Sequence, residues 1–213
     1  MEQSDNRTQA ILHWQMLAQG EVRVEQQEGY RYLLLNGQRQ SQLNLADPAG
    51  ITYPHLQLVL LLLEQQPWRH LLQFGLGAGE LNRAFSSRWP GRQLSTVEQS
   101  ADIIALYQQY FFAADKELLI CAPALEFARQ LCRASSTYDM IFVDIYPWPA
   151  DGVLLLEQLL QRNTPLLMNL PQADVPDYVP LLCRQYHYQL SVLPVPGYLN
   201  KILEMVPAKP TPG

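Results

Sequence analysis

Long apolar runs are missing from this sequence. Hydrophobic residues make up 48% of its 213 residues, yet the longest uninterrupted apolar run covers only residues 58–63. A helix that crosses a bilayer needs roughly 20 such residues, so we expect no membrane segment. The first 20 residues include Glu2, Asp5 and Arg7 and lack the apolar core of a signal peptide. We therefore expect a cytoplasmic protein.

An excess of basic residues is missing as well. The chain has 15 Lys and Arg against 20 Asp and Glu, which gives a formal net charge of -5. Such a chain has no overall basic field to attract nucleic acid phosphates. Nucleic acid is therefore not an expected partner.

Cysteine is scarce, and the spacing of the cysteines matches no known pairing motif. Cys121, Cys132 and Cys183 are odd in number and form no C-x-x-C motif, which argues against a disulfide framework and against a zinc site. We expect three buried thiols. His55 and His187 have no cysteine or carboxylate at ligand spacing, so we expect no metal site.

The N-terminal quarter has the pattern of a β-hairpin. Val22 and Val24 alternate with charged neighbours, and the segment YRYLLL leads directly into Asn36 and Gly37. Alternating apolar residues that end at Asn-Gly predict two antiparallel strands joined by a tight turn.

From about residue 51 onward, short apolar strands alternate with segments of helical length. A helix is predicted from Tyr53 until Pro67 stops it. This alternation is typical of a doubly wound α/β fold with a mostly parallel sheet. The predicted strands are 70–75, 93–98, 117–122, 138–145, 164–170 and 189–195, and the later helices are 79–88, 100–112, 124–134, 152–162 and 175–186. The predicted domains are an N-terminal extension over 1–50, an α/β domain over 51–206 and a loose tail over 207–213.

The segment LLQFGLGAGEL, residues 71–81, ends the first strand of this pattern with Gly75, Gly77 and Gly79. In open parallel sheets, ligands bind at the carboxyl ends of the strands. Glu98 follows the turn by about 20 residues, at the end of the next strand, where a carboxylate accepts ribose hydroxyls in nucleoside-binding folds. Asp144 ends the fourth strand of the α/β domain and lies at the same predicted edge. These residues predict a nucleoside site.

Each of these residues also has a purely structural explanation. The glycines suit a tight strand-to-helix turn without any ligand. Glu98 suits a solvated position beside a helix start, and Asp144 suits a residue that caps the next turn. The sequence leaves these alternatives open.

The order of these motifs resembles the spermidine synthase (aminopropyltransferase) family, in particular short bacterial spermidine synthase-like proteins with the methyltransferase-like Rossmann fold. The resemblance runs from about residue 21 to residue 205. The segments that carry it are LLLNGQRQ, TYPHLQLVLLLL, LLQFGLGAGEL, STVEQS, PALEFARQL and YDMIFVDIYP.

The resemblance implies a nucleoside cofactor, either S-adenosylmethionine or its decarboxylated form. It implies that Asp144 accepts a proton from the attacking amine. The residues that it assigns to the cofactor pocket are Gly75, Gly77, Gly79, Glu98, Gln40 and Tyr53. Family members with an N-terminal hairpin often form dimers, so we expect a possible homodimer.

Three positions depart from the family pattern. Ala78 and Pro147 replace carboxylates that the family uses for its cationic amine, so we do not expect putrescine as the acceptor. Pro123 replaces an acid that faces the adenine, and this weakens the cofactor assignment. The aromatic segment 146–149 predicts a lid over an apolar or aromatic acceptor, a lid over the sulfonium through cation–π contact, or simple loop packing. We assign packing roles to the strands near Asn169 and Asn200.

Two functions follow as hypotheses. The first is transfer of a methyl or aminopropyl group from S-adenosylmethionine, or a related thionucleoside, to an unknown acceptor. The alternative is a catalytically degenerate binding or interaction protein that keeps the fold. A nicotinamide-dependent oxidoreductase is a weaker third hypothesis, because Glu80 stands where the dinucleotide fingerprint requires glycine.

Overall fold

The computed structural model describes residues 9–18, 20–113, 117–131, 138–172 and 174–209. Their contacts divide them into two compact units. The first unit holds the described residues of Met1–Thr52, Gly77–Pro90 and Asp102–Lys116, and the second holds those of Tyr53–Leu76, Gly91–Ala101 and Glu117–Gly213. The domain boundaries predicted at residues 50 and 206 stay predictions. Residues 210–213 of the predicted tail lie outside the described residues.

Eleven strands and six helices occur in the described residues. The strands are β1 Ala10–Leu17, β2 Gly20–Gln27, β3 Tyr30–Leu35, β4 Gln38–Asn44, β5 His70–Phe74, β6 Gln93–Glu98, β7 Leu118–Cys121, β8 Met140–Val143, β9 Leu166–Leu170, β10 Tyr188–Pro194 and β11 Lys201–Pro207. The helices are α1 Pro54–Glu64, α2 Glu80–Arg88, α3 Ala101–Tyr110, α4 Ala124–Leu131, α5 Gly152–Leu160 and α6 Tyr178–Gln185.

The first unit contains an antiparallel sheet in the order β1-β2-β3-β4. The predicted hairpin is the β3–β4 pair. Asn36 and Gly37 join its strands, and both have the positive φ angles, 51° and 76°, that a two-residue hairpin turn requires. Val22 and Val24 are fully buried, which agrees with the alternation in the sequence. The sheet is larger than predicted, because β1 adds a strand with no clear sequence signal.

The second unit contains a seven-stranded sheet in the order β10-β11-β9-β8-β5-β6-β7. The five strands β5 to β9 run parallel to one another, while β11 pairs antiparallel with both β9 and β10. This is the mostly parallel, doubly wound fold that the sequence predicts.

Helices of the second unit cover both faces of this sheet. Helices α4, α5 and α6 share one buried cluster with sheet residues that include Phe74 and Leu203. The neighbouring residue of Leu203, Glu204, points to the opposite face and accepts a hydrogen bond from Gln66, which follows α1. Consequently α1 lies on the opposite face from α4–α6.

One expectation about cysteine is wrong. Cys183 is buried, and burial raises the pKa of its thiol. Cys121 is exposed instead of buried, because it ends β7, which is an edge strand of the sheet. Cys132 lies outside the described residues.

Among the described helices, none is both long and apolar enough to cross a bilayer.

Candidate functional site

The register of the parallel strands brings the predicted site residues to one edge of the sheet. Phe74 pairs with Val97 on one side and with Val143 on the other, and Val143 pairs with Met168. The next position along each strand forms a row of Gly75, Glu98, Asp144 and Asn169. Because side chains alternate between faces, this row points away from α4–α6 and toward the face that α1 covers.

Gly75 allows two backbones to approach at this edge. It has a φ of +93°, and a Cβ atom there would lie 2.0 Å from the carbonyl oxygen of Asp144. Any side chain would therefore force the end of β5 away from the segment after β8. Gln73 supports the same turn from the buried part of β5, because its side-chain amide donates to the Gly75 carbonyl at 2.6 Å.

Glu98 holds the start of the glycine turn. Its Oε2 accepts a hydrogen bond from the Leu76 N–H at 3.2 Å, and its Oε1 accepts one from the Ser100 N–H at 2.9 Å. Burial raises the pKa of Glu98, while the backbone donors, including Ser100, Leu76 and Gln99, act in the opposite direction. Each carboxylate oxygen can accept two hydrogen bonds, so this carboxylate retains capacity for further donors.

Gly77 and Gly79 belong to the first unit, where packing explains them. A Cβ at Gly79, with its φ of +66°, would lie 2.0 Å from the ring of Tyr107. Gly77 has a φ of +55°, and a Cβ there would lie 3.3 Å from Cβ of Ser41. The structural explanation of these glycines is therefore sufficient by itself, and their predicted contact with a ligand stays a prediction.

Asp144 lies between an amide and an imidazole. Asn169 Nδ2 donates to its Oδ1 at 2.8 Å, and Asn200 Nδ2 donates to Oδ1 of Asn169 at 3.0 Å. His55 Nε2 lies 3.7 Å from Asp144 Oδ2. The side chains of His55 and Asp144 are 15% and 28% exposed, so the pair remains accessible to a ligand.

Sequence reasoning missed three members of this cluster. Asn169 and Asn200 were expected only to pack, yet they orient Asp144 through consecutive hydrogen bonds. His55 was considered only as a metal ligand, and the first turn of α1 brings it to 3.7 Å from Asp144. Only strand register could have signalled Asn169, because it occupies the same row as Asp144 on the neighbouring strand.

Tyr53 and Gln40 are the remaining predicted pocket residues. Tyr53 is the residue before α1, and its ring lies 5.5 Å from that of His55, centroid to centroid. It is therefore next to the Asp144 cluster. Gln40 lies in β4 of the first unit, and its amide donates to the carbonyl of Gln38 in the same strand at 3.4 Å. Its predicted role stays a prediction.

The residues that depart from the family pattern differ in accessibility. Ala78 is fully buried, and its carbonyl accepts a hydrogen bond from Arg83. Pro147 and Pro123 are both exposed, after β8 and β7 respectively. Thus two of the three replaced carboxylates would have stood at accessible positions beyond sheet strands, where this chain offers only proline rings.

Apolar side chains are exposed near the Asp144 end of the sheet. Lys201 pairs with Leu170, so the turn between β10 and β11 reaches the same edge as the end of β9. Tyr198 and Leu199 in that turn are 55% and 71% exposed, and Tyr146, two residues after Asp144, is 57% exposed. We call these three residues the apolar rim.

Trp148 is a packing residue, not part of the apolar rim. A Cβ at Gly152 would lie 2.1 Å from Nε1 of Trp148, so the indole lies directly against the start of α5. This supports the packing interpretation for that half of the segment 146–149.

In the part of the chain that the structure describes, no group of three or more His, Cys, Asp or Glu side chains is arranged to hold a metal ion.

The described fold is shared with solved structures of two kinds. A probable spermidine synthase from Corynebacterium glutamicum superposes with a TM-score of 0.75 at 15% identity, over 92% of this chain and 79% of that one. A spermidine synthase in complex with the transition state analogue AdoDATO gives 0.63 at 13% identity, over 94% of this chain and 73% of that one. Human methyltransferase-like protein 13 in complex with SAH gives 0.54 at 22% identity, over 76% and 79%.

These similarities confirm the spermidine synthase-like, methyltransferase-like Rossmann fold that the motif order indicates. No protein-family model and no curated protein matches the sequence. The identities are low, so the comparison establishes the fold, and the site itself must support the function.

Proposed function

We propose that this protein binds S-adenosylmethionine or a related thionucleoside and transfers its methyl or aminopropyl group to an acceptor other than putrescine. The observation that carries the proposal is Glu98, a carboxylate at the carboxyl end of β6 that also accepts the first amide of the glycine turn. The solved structures with the same fold include complexes with SAH and with AdoDATO, which supports a nucleoside ligand.

The chemistry of Glu98 favours a ribose. A ribose presents two neighbouring hydroxyl donors, and a carboxylate with free lone pairs can accept both. Burial raises the pKa of Glu98, so a ligand that donates to the ionised form would offset the cost of burying that charge. Gly75 and Tyr53 lie at the same edge of the second unit. The predicted roles of Gly77, Gly79 and Gln40 stay predictions.

Asp144 is suited to the acceptor side of the reaction. A sulfonium cofactor supplies an electrophilic carbon, and the acceptor must lose a proton as it attacks. Asp144 lies one strand away from Gly75 and is oriented by Asn169. It is accessible, so it can hold or accept that proton.

The first test is calorimetric titration with S-adenosylmethionine, decarboxylated S-adenosylmethionine and methylthioadenosine. We expect micromolar binding of at least one of them. Glu98→Gln keeps the shape of the side chain but replaces one acceptor oxygen with a donor. Hydrogen bonds to charged groups contribute roughly 1.5–3 kcal/mol each, so we expect affinity to fall about 10-fold to 100-fold.

Asp102→Asn is the matched control, because it removes an exposed carboxylate four residues later, in α3. It should leave the affinity unchanged. Binding that is equal in wild type and Glu98→Gln would refute the assigned site. Absence of binding by all three nucleosides would favour the degenerate interaction protein instead.

A further inference from the structure

Asp144 has a neighbour on each of its two carboxylate oxygens. Asn169 donates to Oδ1, and His55 Nε2 lies 3.7 Å from Oδ2. Asn200 occupies the carbonyl oxygen of Asn169, so the amide group of Asn169 is oriented with its NH₂ toward the carboxylate. The carboxylate is therefore held in one orientation with His55 beside it.

This arrangement suits proton uptake better than the anchoring of a cationic amine. A diammonium acceptor needs several carboxylates with free oxygens to offset its loss of hydration. Here Asp144 is a single carboxylate, and one of its oxygens faces the His55 imidazole, which would become positively charged on taking up a proton. An incoming ammonium group would meet that imidazole.

A neutral imidazole beside a carboxylate can accept a proton on the ring nitrogen that faces away from the carboxylate. With its hydrogen on Nε2, toward Asp144, the His55 ring carries its lone pair on Nδ1. Uptake of one proton on Nδ1 would place an imidazolium 3.7 Å from the Asp144 carboxylate. Separations of this kind shorten in many enzymes once a ligand is bound.

The apolar rim indicates what kind of molecule brings the proton. Tyr146, Tyr198 and Leu199 are more than half exposed at this edge of the sheet. Aromatic and aliphatic side chains stabilise the faces of an aromatic ring by removing apolar surface from water. They supply none of the further carboxylates that a diammonium acceptor would need.

We propose that His55 and Asp144 act as a proton-accepting pair for the hydroxyl group of an uncharged aromatic alcohol, and that such a compound is the acceptor. The identity of the acceptor rests on the proposed transferase function, whereas the proton-accepting pair does not. In the transfer step, the acceptor O–H bond breaks and a new O–C bond forms at the carbon attached to the sulfonium. The C–S bond breaks with its electron pair left on sulfur, and the proton passes to the pair and then to water.

The test uses 4-nitrophenol, because its ionised form has a visible absorption band that its neutral form lacks. The compound is titrated with the full-length protein at a pH where the free compound is mainly neutral, with and without methylthioadenosine. We expect saturable binding accompanied by the phenolate band in both cases, because the pair is formed by the chain itself. Putrescine should not displace the compound.

Two variants separate the pair from ordinary binding. His55→Asn leaves a side chain too short to reach Asp144, and Asp144→Asn removes the carboxylate. We expect each to lower the ratio of bound phenolate to bound neutral phenol at least about tenfold, which corresponds to one pKa unit for the bound phenol. His187→Asn is the matched control, since His187 is exposed and has a positive φ that asparagine tolerates; it should keep the full band.

Three outcomes would overturn the proposal: no saturable binding of 4-nitrophenol, a phenolate band that persists in both variants, or displacement by putrescine. Failure of the proposed transferase function gives a different result, which the nucleoside titrations detect. Absence of binding by S-adenosylmethionine, decarboxylated S-adenosylmethionine and methylthioadenosine, with a retained phenolate band, would refute the transferase proposal while supporting the pair.

Discussion

The two units each contain a cluster of charged side chains, and the clusters differ in what they leave free. In the first unit, Arg83 is buried and donates to the carbonyls of Pro48 at 2.8 Å, Phe111 at 3.2 Å and Gln42 at 3.3 Å, as well as to Ala78. Buried Glu80, on the same helix, accepts hydrogen bonds from the N–H and the hydroxyl of Thr52.

In the second unit, the charged side chains at the sheet edge stay accessible. Asp144 is 28% exposed and faces His55 across 3.7 Å, and Glu98 has lone pairs beyond those used by Leu76 and Ser100. We call the group of Arg83 and Glu80 the closed cluster, and the group of Asp144, His55 and Glu98 the open cluster. The clusters differ in exposure: Arg83 and Glu80 are 6% and 2% exposed, whereas the Asp144 side chain is 28% exposed, so the open cluster presents oxygens to a ligand without unfolding.

The closed cluster should matter most for folding. Arg83→Met keeps much of the side-chain volume but leaves buried carbonyls from several segments without their donor. A buried carbonyl left without its donor costs about 1–3 kcal/mol, so the loss of the donor to several of them should cost at least about 3 kcal/mol. Urea denaturation followed by circular dichroism measures the free energy of unfolding.

Arg88→Met is the matched control, because Arg88 lies on the same helix with an exposed side chain. It should cost less than about 0.5 kcal/mol. Equal free energies of unfolding for the two variants would mean that the hydrogen bonds of Arg83 do not stabilise the fold. The proposed difference between the two clusters would then be wrong.

The fold was largely predictable because its strands and helices have strong periodic signals. The strands predicted at 70–75 and 93–98 correspond to β5 and β6, and the helix predicted at 152–162 corresponds to α5. The β1 strand was missed, since its exposed residues Trp14 and Met16 are as apolar as its half-buried ones. Alternation gives no signal in such a strand.

The candidate site was predictable only in part, because a sequence shows strand ends but not which strands are neighbours. Glu98 and Asp144 were found because acids at the ends of strands have a known use. Asn169 and Asn200 became visible only when β9 was seen to pair with both β8 and β11. His55 depended on the position of α1 above the sheet, which no local pattern encodes.

The glycine turn gives the next largest effect, and it shows whether the turn is required by packing. Gly79→Ala would place a Cβ 2.0 Å from the Tyr107 ring at a φ of +66°. A positive φ costs roughly 1–2 kcal/mol and overpacking roughly 1–3 kcal/mol, so we expect a loss of about 2–5 kcal/mol in the free energy of unfolding, measured with no ligand present.

Two other glycines separate these contributions. Gly197 has a φ of +77° with nothing within 4 Å of its Cβ position, so Gly197→Ala reports the backbone cost alone. Gly91 has open space and no positive φ, so Gly91→Ala should have almost no effect. If Gly79→Ala were no worse than Gly197→Ala, packing against Tyr107 would not explain the turn, and a ligand requirement would become the better explanation.

The smallest effect concerns the pH dependence that the open cluster adds to stability. Burial is the main cause that raises the pKa of Glu98 above its ordinary value of 4.5. The folded state therefore holds this proton more tightly than the unfolded chain does. The resulting stability is complete below pH 4.5 and is lost as the pH rises through the raised pKa.

Glu98→Gln cannot titrate, so the wild type should lose stability relative to this variant as the pH rises through that window. Urea denaturation of both proteins at several pH values measures the difference. Saturating methylthioadenosine should stabilise the wild type more above the window than below it, because ribose hydroxyls donate best to the ionised carboxylate. A difference that does not vary with pH would mean that Glu98 is not held at a cost to the folded state. The ionised Glu98 carboxylate would then carry no burial cost that hydrogen bonds from a nucleoside could offset.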